Sequence, residues 1–240
     1  MAVTVFADEE VVVRTPDEFK RMPKDYQKIL ISQVVINTEG EISGGDDYVQ
    51  MFLPLAPNAE EMQVCCERAA EEYDHYKIGK RVLADIGVDT SHMESQTLAE
   101  RRLFADDRLH TCTTWAERGI FSYFGEAAVL LMLREFAESS YTPWAEAVRT
   151  IILDEKIHIA HGARVCRNLV AEGRTDELQA ALDRLWPTFE GVFGNPNSER
   201  SKLAVRYRLR ATTNGEALEQ YRQDMAERIT ALGLNLPYAV

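Results

Sequence analysis

Two Glu-x-x-His pairs constrain the fold of this 240-residue chain more than any other feature of its sequence. Glu72 lies three residues before His75, and Glu155 lies three residues before His158. In an α-helix with 3.6 residues per turn, this spacing places the carboxylate and the imidazole on the same face. Both side chains of a pair can therefore bind one metal ion.

A further Glu lies upstream of each pair at a similar separation. Glu41 precedes Glu72 by 31 residues, and Glu126 precedes Glu155 by 29 residues. Two helical hairpins of similar length give such separations. In four-helix di-iron proteins, two helices each carry one Glu and the other two each carry a Glu-x-x-His pair. The sequence thus predicts six metal ligands: Glu41, Glu72, His75, Glu126, Glu155 and His158.

The apolar periodicity predicts long helices that carry these residues on their apolar faces. The four bundle helices are expected at about residues 24–41, 59–86, 113–137 and 143–170, followed by shorter helices at 175–189, 198–210 and 216–232. Carboxylates buried on such faces need cations as partners. We predict an all-α, ferritin-like four-helix bundle with additional C-terminal helices. Residues 21–240 form a single domain, and residues 1–20 form an irregular N-terminal arm.

The glycine-rich segment around Glu41 leaves two interpretations open. Each glycine disfavours a helix interior, so either the helix ends near Glu41 or the glycines permit close packing or substrate access. Glu39 is the alternative ligand in this segment.

Three further residues are predicted to lie behind the ligands. Glu71 and Asp154 each come one residue before a pair, where they can accept the second ring N–H of a ligand histidine from the opposite hairpin. His161 follows His158 by three residues and is also expected near the site, as an outer partner of the ligands or a packed residue rather than a seventh ligand. His92 and His110 have polar neighbours and are predicted to be surface residues.

The residue types of the predicted ligands and the net charge of the chain limit which metals and partners it can bind. Carboxylates with two imidazoles favour two iron ions, with manganese as the alternative. A net charge of −12 argues against a nucleic-acid partner.

The four cysteines contain no Cys-x-x-Cys pair, which argues against a zinc ribbon or a disulfide framework. The start of the chain does not have the pattern of a signal peptide, and no apolar run has the length of a membrane span, so we predict a cytoplasmic protein with no membrane association.

Further motifs carry a family resemblance over about residues 20–237. They include Met22-Pro23, Gly125-Glu126-Ala127-Ala128, Phe193-Gly194, Asn195-Pro196-Asn197-Ser198 and Thr230-Ala231-Leu232-Gly233. With these motifs, the chain resembles the catalytic oxygenase subunits of phenylacetyl-CoA epoxidases, which are ferritin-like di-iron monooxygenases. The resemblance also favours Glu41 over Glu39 as a ligand.

The resemblance implies a specific activity. Two irons bound by the six ligands would activate O2 and insert one oxygen atom into an aromatic ring held as an aryl- or acyl-CoA thioester. Electrons would come from a separate reductase, and the chain would form a homodimer or a hetero-oligomer with a related helical subunit. Two alternatives stay open: a ferroxidase without an organic substrate, and a monooxygenase of the same family with a non-CoA substrate. A non-catalytic scaffold subunit is disfavoured, because it has no reason to keep all six ligands.

Overall fold

The computed structural model describes residues 11–101 and 111–238. Its helices are, in chain order, α1 (Pro16–Arg21), α2 (Lys24–Asp47), α3 (Ala59–Asp85), α4 (Ser91–Ser95), α5 (Trp115–Ile120), α6 (Glu126–Phe136), α7 (Thr142–Ala171), α8 (Thr175–Gly191), α9 (Glu199–Arg206) and α10 (Asn214–Ala231). Within the described residues, the β-type pairing is limited to an isolated bridge between Val13 and Tyr141. The predicted all-α class is confirmed.

Two π-helical segments extend the bundle helices. One, Tyr48–Phe52, continues α2, and the other, Phe121–Gly125, joins α5 to α6. A π-helical turn is wider than an α-helical turn and changes the direction of the side chains around it. The second segment makes one helix of the stretch from Trp115 to Phe136, and α2 continues past Glu41 instead of ending there.

The bundle consists of α2, α3, the helix made by α5 and α6, and α7. Helix α2 packs along α3, α6 packs along α7, and α3 also contacts α7, so two helical hairpins face each other. The C-terminal helices add to this bundle: α8 contacts α5 and α7, α9 contacts α2, and α10 contacts α6. The predicted ferritin-like bundle with additional C-terminal helices is confirmed.

Two glycines permit close contact between bundle helices beside the predicted ligands. A Cβ atom on Gly44 of α2 would lie 3.0 Å from Glu72 Oε2 of α3. A Cβ atom on Gly162 of α7 would lie 2.5 Å from the backbone nitrogen of Tyr123, in the second π-helical segment. The close-packing interpretation of the glycines near Glu41 is therefore the one that the structure adopts.

The apolar core is divided into two clusters along the bundle. One contains Leu30 and Val34 of α2, Leu83 of α3 and Val148 of α7. The other contains Phe52, with Ala69 of α3, Phe124 and Val165. On α2, α3 and α7, the predicted ligands fall between the residues of one cluster and those of the other, while Glu126 lies among residues of the second cluster. The polar centre therefore lies midway along the bundle.

The N-terminal region differs in part from the predicted irregular arm. Residues 16–21 form α1, whose N-terminus has a capping box: Thr15 Oγ1 accepts the backbone N–H of Glu18, and the Glu18 carboxylate accepts the backbone N–H of Thr15. The sequence Thr-Pro-Asp-Glu thus begins a short helix within the predicted irregular arm. Residues 1–10 of the arm lie outside the described residues.

Two remaining expectations concern the surface. His92 is exposed, as predicted, while His110 lies outside the described residues. Among the helices in the described residues, each is too short or too polar to cross a bilayer.

Candidate metal centre

The six predicted ligands lie together in the middle of the bundle, and all are buried. They form two groups that share Glu72, and in each group one candidate ligand atom per residue lies within 4.8 Å of the others. The first group is Glu41, Glu72, His75 and Glu155, and the second is Glu72, Glu126 and His158. This arrangement matches two neighbouring metal positions with a shared carboxylate. Within the described residues, the alternative ligand Glu39 is in neither group.

Both imidazoles direct the same ring nitrogen toward the carboxylates. His75 Nδ1 lies 3.2 Å from Glu41 Oε2 and 3.5 Å from Glu155 Oε1. His158 Nδ1 lies 3.4 Å from Glu72 Oε1 and 3.9 Å from Glu155 Oε2. A neutral imidazole can bind a metal through Nδ1 when its proton is on Nε2.

The outer nitrogen of each imidazole contacts a carboxylate of the opposite hairpin. His75 Nε2 of α3 lies 3.1 Å from Asp154 Oδ2 of α7, and His158 Nε2 of α7 lies 2.8 Å from Glu71 Oε2 of α3. These are the partners that we predicted from the sequence. A carboxylate in this position holds the proton on Nε2, which leaves the Nδ1 lone pair facing the centre.

Two of the carboxylates accept hydrogen bonds from neutral side chains. We did not predict these side chains at the site from the sequence. Tyr48 Oη donates a hydrogen bond of 2.6 Å to Glu126 Oε1, and Ser122 Oγ donates one of 3.1 Å to the same oxygen. Asn37 Nδ2 donates a hydrogen bond of 2.8 Å to Glu41 Oε1. Tyr48 and Ser122 both lie in π-helical segments, and the sequence carries no pattern that predicts those segments.

Two unpartnered atoms of the second group have the chemistry of metal ligands. Glu126 Oε2 and His158 Nδ1 are buried and have no hydrogen-bond partner among the described residues. Leaving a buried polar atom unpaired costs about 1–3 kcal/mol, and more for a charged group. Both atoms belong to the second group, where a divalent cation would accept their lone pairs and offset the charge of the carboxylates. Oxygen donors with two imidazoles fit iron or manganese.

Without a metal, protons have to offset this charge. Burial and the neighbouring Glu41 carboxylate raise the pKa of Glu72 well above its usual range, and burial and Glu72 do the same to the pKa of Glu155. Burial is the largest single effect on His75 and lowers its pKa, but the carboxylates of Glu41, Glu72 and Asp154 together outweigh burial and raise the His75 pKa to about 9. The metal-free centre therefore holds protons at neutral pH.

His161 is buried near the site, and its two hydrogen-bond partners are residues other than the six predicted ligands. Its Nδ1 accepts a hydrogen bond of 2.9 Å from Arg118, and its Nε2 donates one of 2.7 Å to Glu61. Burial and the Arg118 guanidinium lower the pKa of His161 to about 4, so the ring is neutral. Arg118 in turn lies 5.5 Å from the ring centroid of Tyr48. Arg118 of α5 and Glu61 of α3 thus occupy both ring nitrogens of His161, and within the described residues its link to Glu126 runs through Arg118 and Tyr48.

Comparison with known proteins identifies the family. The sequence model of the family described as "Phenylacetic acid catabolic protein" matches residues 17–239. The chain belongs to this family. It is also similar to one subunit of the 1,2-phenylacetyl-CoA epoxidase of Escherichia coli (strain K12), with 22% identity over 224 residues that cover 90% of this chain and 71% of that protein. The resemblance inferred from the sequence motifs is confirmed.

In this member of the phenylacetic acid catabolic protein family, an apolar cavity adjoins the centre. Its volume is about 520 Å³, and its walls come from α2, the second π-helical segment, α6, α8, α9 and the segments that precede α9 and α10. The apolar lining includes Ile29, Phe121, Val129, Leu133, Phe136 and Phe189. Asn37, which contacts Glu41, and Gly125, which precedes Glu126, also line it. The cavity wall therefore includes a hydrogen-bond partner of Glu41 and the residue next to Glu126 in the chain.

Proposed function

We propose that this protein is a di-iron, O2-dependent monooxygenase that inserts one oxygen atom into an aromatic substrate held as a CoA thioester. The observation that carries the proposal is the buried group of four carboxylates and two imidazoles beside an apolar cavity. The name of the Escherichia coli relative, an epoxidase of phenylacetyl-CoA, supports both the reaction type and the substrate class.

The six side chains have distinct roles in this proposal. Glu41, His75 and Glu155 would hold one iron, Glu126 and His158 would hold the other, and Glu72 would contact both. When bound, the irons carry the redox chemistry with O2, and a separate reductase provides the electrons. Manganese is the alternative ion. Tyr48 and Ser122 keep Glu126 Oε1 occupied, so that Oε2 is the oxygen available to a metal.

The cavity would bind and orient the aromatic part of the substrate. Its aromatic and aliphatic walls exclude water and provide apolar contacts, which is typical of small-molecule sites. The wall includes Gly125, the residue before Glu126, and the rings of Phe121 and Phe189 pack against this glycine. A substrate ring in the cavity would therefore lie against these two aromatic side chains, close to the helix that carries Glu126.

The proposal includes partners. The relative is named as one subunit of an epoxidase, which supports a homodimer or a hetero-oligomer with a related helical subunit, together with a reductase. We propose that this assembly acts in the cytoplasm.

A ferroxidase without an organic substrate is the second candidate function, since the same ligands would bind and oxidise iron. The cavity favours the monooxygenase, because iron oxidation has no need of an apolar space of about 520 Å³ next to the ligands. A monooxygenase with a non-CoA substrate would use the same centre and cavity.

Iron loading followed by turnover tests the proposal. We expect two irons per chain, and we expect Glu155→Ala to lose both metal and activity. Glu146→Ala is the matched control, because Glu146 is an exposed residue of the same helix. Reduction without oxygen, followed by O2 and candidate aryl-CoA thioesters, should yield a product heavier by one oxygen atom in mass spectrometry. A protein that stays metal-free after loading contradicts the proposal, and oxidation of iron with no organic product favours the ferroxidase.

A further inference from the structure

The end of the apolar cavity away from the metal centre contains a buried arginine. Arg210 lines the cavity, and only 6% of the residue is exposed to solvent. A guanidinium is rarely buried to this extent unless it is paired with an anion. The partners of Arg210 therefore decide whether it has a purely structural role.

The partners of Arg210 leave part of its guanidinium unsatisfied. Nη1 donates a hydrogen bond of 2.8 Å to Asn214 Oδ1, Nη2 lies 3.7 Å from the sulfur of Met132, and Nε has no hydrogen-bond partner in the part of the chain that the structure describes. A thioether is a weak acceptor. The guanidinium thus has donors that are better satisfied by an oxygen atom in the cavity.

The nearby carboxylates of Glu135 and Glu216 are engaged elsewhere. They raise the pKa of Arg210 from a distance, but burial has the larger, opposite effect and lowers it. The Glu135 carboxylate accepts the backbone N–H groups of Ala211 and Thr212, and Glu216 accepts that of Thr213. Within the described residues, neither carboxylate is a hydrogen-bond partner of the Arg210 guanidinium.

The distance between Arg210 and the metal centre limits the length of the ligand. Met132, which Arg210 contacts, marks one end of this distance, and Gly125, the residue before Glu126, marks the other. Gly125 and Met132 both line the cavity, and they lie seven residues apart on one helix. At 1.5 Å per residue, their separation along the helix axis is about 10 Å. An aromatic ring near Glu126 would then have a polar group of a short side chain near Arg210. The diphosphate of CoA does not fit this distance, because the whole pantetheine arm separates it from the acyl group.

We propose that Arg210 recognises a carbonyl or carboxylate oxygen of the substrate and thereby orients its aromatic ring toward the metal centre. This inference rests on the proposed function and names a recognition residue for the same site. The oxygen has two sources with the same chemistry: the carboxylate of a free aryl acid, or the carbonyl of its CoA thioester. A charged donor selects either over a ligand that lacks the oxygen.

Binding to the iron-loaded protein tests the inference, with isothermal titration calorimetry as the readout. The free-acid arm compares phenylacetate with ethylbenzene, and the thioester arm compares phenylacetyl-CoA with S-(2-phenylethyl)-CoA, which lacks the thioester carbonyl. In at least one arm, we expect the oxygen-containing probe to bind at least about tenfold more tightly. The arm that shows this preference identifies the source of the oxygen.

Substitution of Arg210 should remove this preference. We expect Arg210→Met to weaken binding of the preferred probe by about tenfold to a hundredfold, with little effect on the probe that lacks the oxygen. Arg210→Gln keeps a donor for Asn214 and should show the same loss, which guards against a folding defect in Arg210→Met. Arg206→Met, on an exposed residue of α9, is the matched control and should bind like the wild type.

Several outcomes overturn the inference. These are equal binding within both arms, binding of none of the four probes, or an unchanged preference in the Arg210 variants. Iron content separates this failure from failure of the proposed function. A wild-type protein with two irons and no preference contradicts only the role of Arg210, whereas a protein without iron contradicts the metal centre.

Discussion

Glu126 illustrates how single residues prepare the centre for a metal. One of its oxygens accepts hydrogen bonds from both Tyr48 and Ser122, while the other has no partner among the described residues. The donors fix the carboxylate and determine which oxygen faces the neighbouring ligands. Burial raises the pKa of Tyr48 well above its usual range, and the Glu126 carboxylate raises it further, so the phenol stays neutral and keeps its proton for this hydrogen bond.

Tyr48→Phe should therefore weaken metal binding without changing any ligand. Outer partners of metal ligands typically contribute a factor of about 10–100 to affinity, and we expect a loss near the lower limit, since Ser122 still donates to Glu126. Competition with a chelator measures the affinity. Tyr73→Phe is the control, because Tyr73 donates to Asp46 outside the centre. Equal affinity in Tyr48→Phe and the wild type would contradict the role of this hydrogen bond.

The carboxylate behind His75 can be tested in the same way. Asp154→Asn replaces an acceptor of the Nε2 proton with a weaker, neutral one, so we expect metal affinity to fall by about tenfold. Asp74→Asn makes the same change on an exposed residue that pairs with Lys77, and it should leave the affinity unchanged. Metal content after dialysis against a weak chelator is the measurement. A similar loss in both variants would point to a general charge effect.

Spacing along a helix allowed some of these residues, but not others, to be predicted. The Glu-x-x-His pairs and the residue before each pair follow from helical periodicity alone, and the structure brings these side chains together. His161 has the right spacing from His158, yet Arg118 and Glu61 on other helices occupy its ring nitrogens. Tyr48 lies 78 residues from Glu126. Contacts of this kind depend on how helices pack, which one sequence does not specify.

At the scale of the elements, the positions of the long helices were predictable and their internal irregularities were not. Apolar periodicity predicted α3 and α7 to within a few residues, because they are regular and have clear ends. The π-helical segments leave no comparable signal, although they place both donors to Glu126. The glycines of α2 left open whether the helix ends near Glu41, and the helix continues because packing against Glu72 and Tyr73 compensates for the low helix propensity of glycine.

Gly162→Ala should destabilise the protein through its contact with the second π-helical segment. The added methyl group would lie 2.5 Å from the backbone nitrogen of Tyr123, and backbone atoms cannot rotate out of the way. Overpacking of this kind costs about 1–3 kcal/mol, so Tm should fall by about 2–12 °C. Gly191→Ala is the control, since a methyl group added there would have no described atom within 4 Å. Thermal unfolding followed by circular dichroism measures both, and an unchanged Tm in Gly162→Ala would contradict the packing argument.

At the scale of the whole molecule, a group of buried acids lies between two apolar clusters. The free energy of unfolding therefore depends on whether protons or metal ions neutralise these acids. Glu72, Glu155 and His75 all have a raised pKa in the metal-free protein. The folded state therefore binds more protons than the unfolded state, and this stabilisation is lost as the pH rises through the raised pKa values.

The pH dependence of unfolding follows from these directions. For His75, the contribution is fully present below its unfolded pKa of about 6.5 and is lost as the pH rises through about 9. Tm of the metal-free protein should therefore fall between pH 6.5 and 9. Metal ions replace the protons, so the increase in Tm caused by iron should grow over the same range, with proton release detectable by calorimetry in buffers of different ionisation enthalpy. A metal-free Tm that rises over this range would contradict the arrangement of charges.

The ligand histidine of α3 contacts an acid of α7, and the ligand histidine of α7 contacts an acid of α3. This crosswise pairing has a consequence for how the two helices can move. Because each imidazole is anchored by an acid on the other helix, a slide of one helix along the other by a single turn would break both anchors at once. Neither half of the centre can be preserved while the other is lost. Assembly of the two hairpins and completion of the centre are thus expected to be a single concerted event.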